Sequence, residues 1–287
     1  MSFPFTVPLS QKEVVTPTSN QRAPLGTRGA TADGRVFRYS KNGSTALAKG
    51  YLVSVKAHTT QWGNSTAGFW DTDHSANTAF AGATSIAAGT TFVNLSATCD
   101  SDLYVAKDHF KEGWLIVSGT STQSGQMMKI KTHNVASSGS TGYQATGGKL
   151  YVEFEDGYSL VEAIDSADEV SMIENEFYGL VVTPTQAASA IVGASVSTVS
   201  ADYYFWCQTW GIAAIKSEAE AITAMGGAVC NSTQTAGTIQ GVTGSTDGPK
   251  ADASTGAIEI VGKLVSSSGL SVLEASTFVF VNLTLNP

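Results

Sequence analysis

Charged side chains are scarce in this chain of 287 residues: Asp, Glu, Lys and Arg together make up 14%, against roughly 25% in an ordinary soluble domain. The 16 basic residues are outnumbered by 24 acidic ones, which gives a formal net charge of −8. An acidic chain lacks the positive surface that holds nucleic-acid phosphates, so we expect no direct nucleic-acid partner. A surface rich in hydroxyl groups and poor in charges indicates a protein that contacts other proteins over much of its surface.

Long hydrophobic runs and closely spaced cysteines are also missing. No apolar run reaches the ~18 residues of a membrane-spanning helix, and residues 1–13 lack the basic leader and apolar stretch of a signal peptide. We therefore expect no membrane partner. Cys99, Cys207 and Cys230 show neither metal spacing nor a disulfide framework, which favours reduced, buried thiols in a protein made in a cytoplasm.

Proline is rare but concentrated at the start of the chain. Four of the seven prolines fall within residues 1–33, at Pro4, Pro8, Pro17 and Pro24. Proline fixes φ and removes a backbone donor, and it pushes the preceding residue towards extended conformations. The sequence therefore predicts an extended N-terminal arm over residues 1–33.

Short apolar runs that follow a glycine recur through the rest of the chain, from "KGYLVSV" at 49–55 to "GGKLYVEF" at 147–154. Such runs read as strands, with the glycine supplying the turn. Asn42-Gly43 signals a tight turn between two strands, and residues 276–285 alternate with period two. Only residues 216–225 have a helical pattern. We predict an all-β fold of one or two small β-barrel or sandwich domains behind the arm.

The predicted domain boundary lies at Pro184, where a strand ends and small residues follow. It divides the chain into a β-barrel or sandwich domain at 34–183 and a second β-rich domain at 184–287.

The glycine-rich stretch at 25–43, which also carries three arginines, has the composition of a phosphate-binding loop. Gly26, Gly29 and Gly34 fit no nucleotide-binding spacing, and they precede a predicted strand rather than the helix whose N-terminus would face the anion. We therefore predict no phosphate or cofactor site here.

Candidate catalytic and metal-binding groups are few. Asp71, Asp73 and His74 crowd into one loop, but they lack the converging partners that a metal requires. Glu153 and Glu155 share one face of a predicted strand, where their like charges repel, while Val152 and Phe154 point inward. The sequence predicts no catalytic, cofactor or metal residues and no enzyme.

The aromatic stretch at 202–211 allows two interpretations. On a strand, Tyr204, Trp206 and Trp210 would share one face, opposite Tyr203 and Phe205. Exposed, such a face would stack sugar rings, as carbohydrate-binding modules do. Buried in a core or interface, it would look the same in sequence, and this interpretation is favoured because exposed rows of large aromatics are rare.

Several segments of the sequence resemble the decoration, or cement, proteins of tailed-bacteriophage heads. They lie at 24–53, 109–133, 147–165, 176–184, 202–211 and in the ending from 257 to 285. The resemblance implies a virion protein, made in the host bacterial cytoplasm, that binds the outer surface of the capsid. It implies that the protein cross-links neighbouring major capsid protein subunits. It also implies a homo-trimer near local three-fold axes, with the arm lying along the shell.

The arm also carries the residues that we expect to contact capsid or a neighbouring subunit. Four of the 16 basic residues fall within seventeen positions, and arginine forks pair bidentately with carboxylates. The alternative is that Arg35 and Arg38 merely cover their own domain. The predicted contact residues are Arg22, Arg28, Arg35, Arg38, Phe3 and Phe5.

Overall fold

The structure is a computed structural model, and it describes residues 6–56, 69–71, 85–96, 107–119, 125–134, 138–139, 142–143, 149–165, 168–185, 190–218, 226–242, 259–266 and 277–285. Within these ranges the regular structure is almost entirely β, with a single short helix, α1, at Gln11–Val14. The predicted all-β class is thereby confirmed. The predicted helix at 216–225 falls largely outside the described residues, and Lys216 is the last residue of a strand.

The chain divides into two compact units that differ from the predicted domains. One is His58–Asn175, and the other joins Ser2–Ala57 with Glu176–Pro287. The smaller unit is therefore inserted into the larger one. Composition could not show this, because it depends on pairing between strands far apart in sequence.

The larger unit begins with four strands before the chain enters the smaller unit: β1 (Val7–Pro8), β2 (Arg28–Ala30), β3 (Val36–Lys41) and β4 (Leu52–Ser54). The smaller unit follows with β5 (Phe69–Asp71), β6 (Ser85–Ile86), β7 (Phe92–Ser96), β8 (Trp114–Gly119), β9 (Met127–His133), β10 (Ser138–Gly139), β11 (Gly142–Tyr143), β12 (Lys149–Phe154), β13 (Ile164–Asp165) and β14 (Asp168–Ile173). The larger unit is completed by β15 (Val181–Val182), β16 (Ile191–Ser195), β17 (Tyr204–Lys216), β18 (Ala228–Asn231), β19 (Ile239–Gly241), β20 (Ile260–Ser266) and β21 (Phe278–Thr284).

In the smaller unit, the described strands form one main sheet in the order β5-β14-β8-β9-β12-β7 and two small strand pairs. Alternating apolar residues from this sheet, among them Leu115, Ile130 and Val152, build one buried core. As predicted for β12, Val152 and Phe154 are buried, and Tyr151 beside them is exposed. The period-two alternation in the sequence of this strand therefore identifies correctly which of its side chains are buried.

In the larger unit, the described strands form one sheet whose main path runs β1-β2-β3-β17-β21-β20-β18-β19, with β4, β15 and β16 attached beside it. The thirteen-residue β17 is the central strand of this sheet, because it pairs with β3, β16 and β21 along its length. Along β21, Val279, Val281 and Leu283 are buried and the residues between them are exposed.

The N-terminal segment is not a free arm from Val7 onward. β1 pairs in parallel with β2, and Ser10 caps α1 through a reciprocal capping box with Glu13. Leu9, Val14 and Leu25 are buried in the same core as Phe37 and Trp206. Apolar residues between the prolines thus hold this segment on the sheet, which corrects the expectation of an extended arm over residues 1–33. Phe3 and Phe5 lie outside the described residues.

The Asn42-Gly43 pair does not join two paired strands, contrary to the expected turn. β3 pairs with β2 and β17, whereas β4 pairs with β15 and β16. The Asn42 side chain is buried, and its Nδ2 donates to the carbonyl oxygens of Thr45, at 2.9 Å, and Ser200, at 2.8 Å. Asn42 therefore serves as a buried link between distant loops.

Candidate functional site

The predicted contact arginines lie in the larger unit, and two of them face each other. Arg28 on β2 is the register partner of Arg38 on β3. The Arg28 guanidinium donates to the Thr6 hydroxyl, and Arg38 Nη1 donates to the Gly26 carbonyl oxygen at 3.3 Å. Burial and the neighbouring Arg28 charge lower the pKa of Arg38. These two side chains make contacts within their own unit.

Arg35 is also engaged within the unit. Its Nε lies 2.8 Å from Asp33 Oδ2, its Nη2 donates to Gln11 Oε1 at 2.6 Å, and its Cζ is 5.7 Å from the centre of the Phe37 ring. This is the arrangement expected of an arginine that covers its own domain. Arg22 is the exposed member of the set, and its backbone N–H donates to the Tyr39 hydroxyl at 2.9 Å.

The aromatic strand is covered rather than open. Trp206 is only 9% exposed, with its ring centre 5.0 Å from that of Tyr39 in an edge-to-face pair. A Cβ on Gly29 would lie 3.0 Å from Trp206 Cζ3 and 2.4 Å from Leu9 Cδ1, so both side chains pack directly on this glycine. The N-terminal segment therefore occupies the face on which a sugar would have to stack.

Tyr204 and Trp210 do not complete an exposed platform with Trp206. Tyr204 is half-buried and stacks on Tyr39 with ring centres 5.9 Å apart. A β-bulge between Gln208 and Trp210 interrupts the alternation that the sequence pattern assumed. What remains is a cleft of about 290 Å³ beside Arg22, Tyr39 and Tyr204.

A second surface, which the sequence analysis did not identify, lies on the outer side of β17, β20 and β21. We call it the apolar face, and its large side chains are well exposed: Phe280 54%, Ile212 53%, Val265 43% and Phe278 40%. Strand register brings Ala214 opposite Phe280 and Ile212 opposite Asn282. Ile212, Val265 and Phe280 line a shallow groove of about 530 Å³. The period-two pattern of β21 was visible in the sequence, but Phe278 and Phe280 share a face with the polar Asn282 and Thr284, so the pattern alone did not show that these two rings are exposed.

Two lysines lie at one end of the apolar face. The Nζ atoms of Lys49 and Lys216 are each 6.0 Å from the centre of the Phe278 ring, and Lys216 Nζ is 4.6 Å from the centre of the Tyr51 ring. Among the residues that the structure describes, no ion pair joins either lysine to a carboxylate. The two ammonium groups are thus held by aromatic rings beside an exposed apolar surface.

The carboxylates considered for catalysis are paired with lysines in the smaller unit. Glu153 Oε1 lies 2.9 Å from Lys131 Nζ, and Glu155 Oε1 lies 3.7 Å from Lys129 Nζ. The hydrogen bond from Lys131 to Glu153, together with the charge of Asp156, raises the pKa of Lys131. Of the loop considered for metal binding, the backbone of Asp71 belongs to β5, while Asp73 and His74 lie outside the described residues.

Two histidines of the smaller unit have structural partners. His109 Nε2 lies 2.5 Å from Glu174 Oε1. His133 is buried, its Nε2 accepts from the Phe110 N–H at 2.9 Å, and its Nδ1 lies 2.8 Å from the Asn134 carbonyl oxygen. Burial lowers the pKa of His133, so the neutral ring holds the turn before β8 against the end of β9.

Two of the three cysteines are described, and the prediction for them is confirmed: Cys207 and Cys230 are buried free thiols. Burial raises the pKa of both, which keeps them unreactive. Among the described residues, no three His, Cys, Asp or Glu side chains converge as metal ligands, and no helix there has the length and apolarity to span a membrane.

Searches among protein families, curated protein sequences and solved structures find no match to this chain.

Proposed function

We propose that the protein is a structural component of a bacteriophage virion that binds the outer surface of the capsid and cements neighbouring major capsid protein subunits. In this proposal it is a homo-trimer on the shell, made in the host bacterial cytoplasm, with small β-barrel or sandwich units. It stabilises the head against the pressure of packed DNA.

The observation that carries the proposal is the apolar face. Four large apolar side chains of β17, β20 and β21 are at least two-fifths exposed on the solvent side of a sheet whose other side is core. Contiguous apolar surface of this kind on a soluble protein is typical of a protein-protein contact. It agrees with the low charge of the chain and with the resemblance to head decoration proteins.

Weak contacts suffice for such a function when several act together. If each subunit of a trimer places one apolar face on the shell, the second and third contacts form at high effective concentration. Cross-links that must break together then raise the force needed to disrupt the shell.

The experiment measures binding to shells prepared without this protein. We expect the wild type to co-sediment with shells, and the double variant Ile212→Thr, Phe280→Thr to bind at least about tenfold more weakly, because truncated apolar anchors lose a few kcal/mol of contact. The matched control is Val161→Thr, which changes an even more exposed apolar residue of the smaller unit.

Failure of the wild type to bind, or its presence in purified virions far below capsid-protein copy number, would refute the proposal. Reconstructed density showing isolated monomers away from three-fold positions would refute the trimer.

The alternative, a carbohydrate-binding or adhesin-like module on the virion surface, used Tyr204, Trp206 and Trp210 as its platform. The burial of Trp206 beneath Leu9 and Gly29 gives that alternative no support. A saccharide that binds the protein and is lost in Tyr204→Ala would revive it through the neighbouring cleft.

A further inference from the structure

The two lysines beside Phe278 are held in place by the sheet. Lys216 is the last residue of β17, its backbone N–H donates to the Gly50 carbonyl oxygen at 2.8 Å, and it is the register partner of Phe278. Lys49 directly precedes Gly50 in the chain. Both backbones are therefore anchored, and only the side-chain ends remain free to adjust.

Gly50 allows the aromatic ring of Phe278 to lie close to both lysines. Its φ is +78°, and a Cβ there would lie 2.3 Å from Phe278 Cε1. The ring of Phe278 therefore rests against the glycine backbone, with Lys49 and Lys216 at equal distances from its centre. A bulkier residue would displace the ring from this position.

Several other basic side chains pair with carboxylates, whereas Lys41, like Lys49 and Lys216, lies over aromatic rings. Lys131 contacts Glu153 and Asp156, Lys129 contacts Glu155, and Arg35 contacts Asp33. Lys49 and Lys216 have aromatic partners instead, so their charge is not neutralised by any carboxylate in the described part of the chain. A cation on an aromatic ring keeps its attraction for an anion that approaches from solvent.

We propose that Lys49, Lys216 and Phe278 form a docking point for an acidic side chain of the partner protein, an inference that rests on the proposed function because the partner is the shell. A carboxylate of the partner is attracted by both ammonium groups, and its neighbouring apolar residues pack on Phe278 and Phe280. The apolar face supplies contact area, and the lysine pair selects and orients a partner with an acidic loop.

Charge complementarity favours a protein carboxylate over a nucleic acid. A chain of net charge −8 repels a polyanion as a whole. A single carboxylate responds mainly to charges within a Debye length, about 8–10 Å at ordinary salt, and both lysine ammonium groups lie 6.0 Å from the centre of the Phe278 ring. Local positive charge on an acidic protein thus directs an acidic partner to one place and one orientation.

The test compares lysine variants for binding to shells that lack the protein, at salt concentrations from about 0.05 to about 0.5 M. There are two double variants. The glutamine variant is Lys49→Gln, Lys216→Gln, and the charge-reversed glutamate variant is Lys49→Glu, Lys216→Glu. The control is Lys12→Glu, Lys111→Glu, which makes the same charge change at two exposed lysines that do not contact Phe278. Thermal unfolding checks that every variant is folded.

We expect wild-type binding to weaken by about tenfold over this salt range, since exposed charge pairs are screened. The glutamine variant should bind several-fold more weakly at low salt and lose most of that salt dependence. The glutamate variant should bind most weakly, and the control should behave like the wild type.

The outcomes separate this inference from the function on which it rests. Wild-type binding that persists with unchanged affinity and salt dependence in the glutamine variant overturns the lysine site and leaves the proposed function standing. Equal losses in the glutamate variant and the control also overturn it, because net charge alone would then explain them. No wild-type binding at all overturns both.

Discussion

Phe278 shows how one glycine controls the position of a surface aromatic ring. Gly50 and Gly226 have the same left-handed φ, +78°. A Cβ on Gly50 would overlap the Phe278 ring, whereas a Cβ on Gly226 would meet no described atom within 4 Å. The two positions therefore separate backbone strain from displacement of the ring.

Gly50→Ala and Gly226→Ala should each lower the free energy of unfolding by about 1 kcal/mol, because an L-residue is strained at this φ. The exposed ring of Phe278 can swing aside, so we expect the additional stability loss in Gly50→Ala to be small. Its shell binding should fall several-fold, while that of Gly226→Ala should stay at the wild-type level. Urea denaturation and co-sedimentation measure the two effects, and equal binding of both variants would contradict the assigned position of Phe278.

Individual residues also show where sequence reasoning stopped. The alternation from Phe278 to Leu283 was readable, because it is set by the local period of a strand. The sequence favoured burial of the strand that carries Trp206, but it could not identify the cover, since Leu9 and Gly29 are remote in sequence. Arg35 could be interpreted either way until its contacts with Asp33 and Gln11 were seen.

The N-terminal segment is the element whose role changes most. Its prolines predicted an extended chain, and the described part of residues 1–33 holds only the two-residue β1, the one-turn α1 and the three-residue β2. Proline content says nothing about what lies between the prolines, however, and there Leu9, Val14 and Leu25 enter the core. Deleting residues 1–28 would therefore remove core side chains as well as arginines.

Val14 and Val15 offer a matched test of this element, because the first is buried and the second is exposed. Val14→Ala should lower the free energy of unfolding by about 1–2 kcal/mol, from lost burial and the cavity left behind. Val15→Ala should change it by less than about 0.5 kcal/mol. Chemical denaturation followed by tryptophan fluorescence measures both. If the two variants are equally stable, the segment is a passive tail after all.

The molecule as a whole is a β-sheet unit interrupted by a second unit. Composition placed a boundary at Pro184, close to where the chain re-enters the larger unit, but it could not place the exit near residue 57. That exit follows from pairing: β4 contacts β15 and β16, so residues 52–54 belong with residues 181–195. Long-range pairing of this kind leaves no local signal in a single sequence.

The insertion predicts that the larger unit folds without the smaller one. Ser54 pairs with Val181 and Val53 with Val182 in antiparallel register, so the chain leaves and re-enters on neighbouring strands. A linker of about twelve Gly and Ser residues spans up to about 40 Å, enough to replace residues 58–175 from these positions. We expect this shortened protein to unfold cooperatively, with Trp206 still buried.

Shell binding by the shortened protein then locates the contact. The apolar face lies wholly in the larger unit, so the shortened protein should still bind shells, and Ile212→Thr, Phe280→Thr should weaken that binding as it does in the full chain. Circular dichroism and co-sedimentation measure the two properties separately. A shortened protein that folds but no longer binds would assign the shell contact to the smaller unit, and one that fails to fold would show that the larger unit depends on the segment inserted into it.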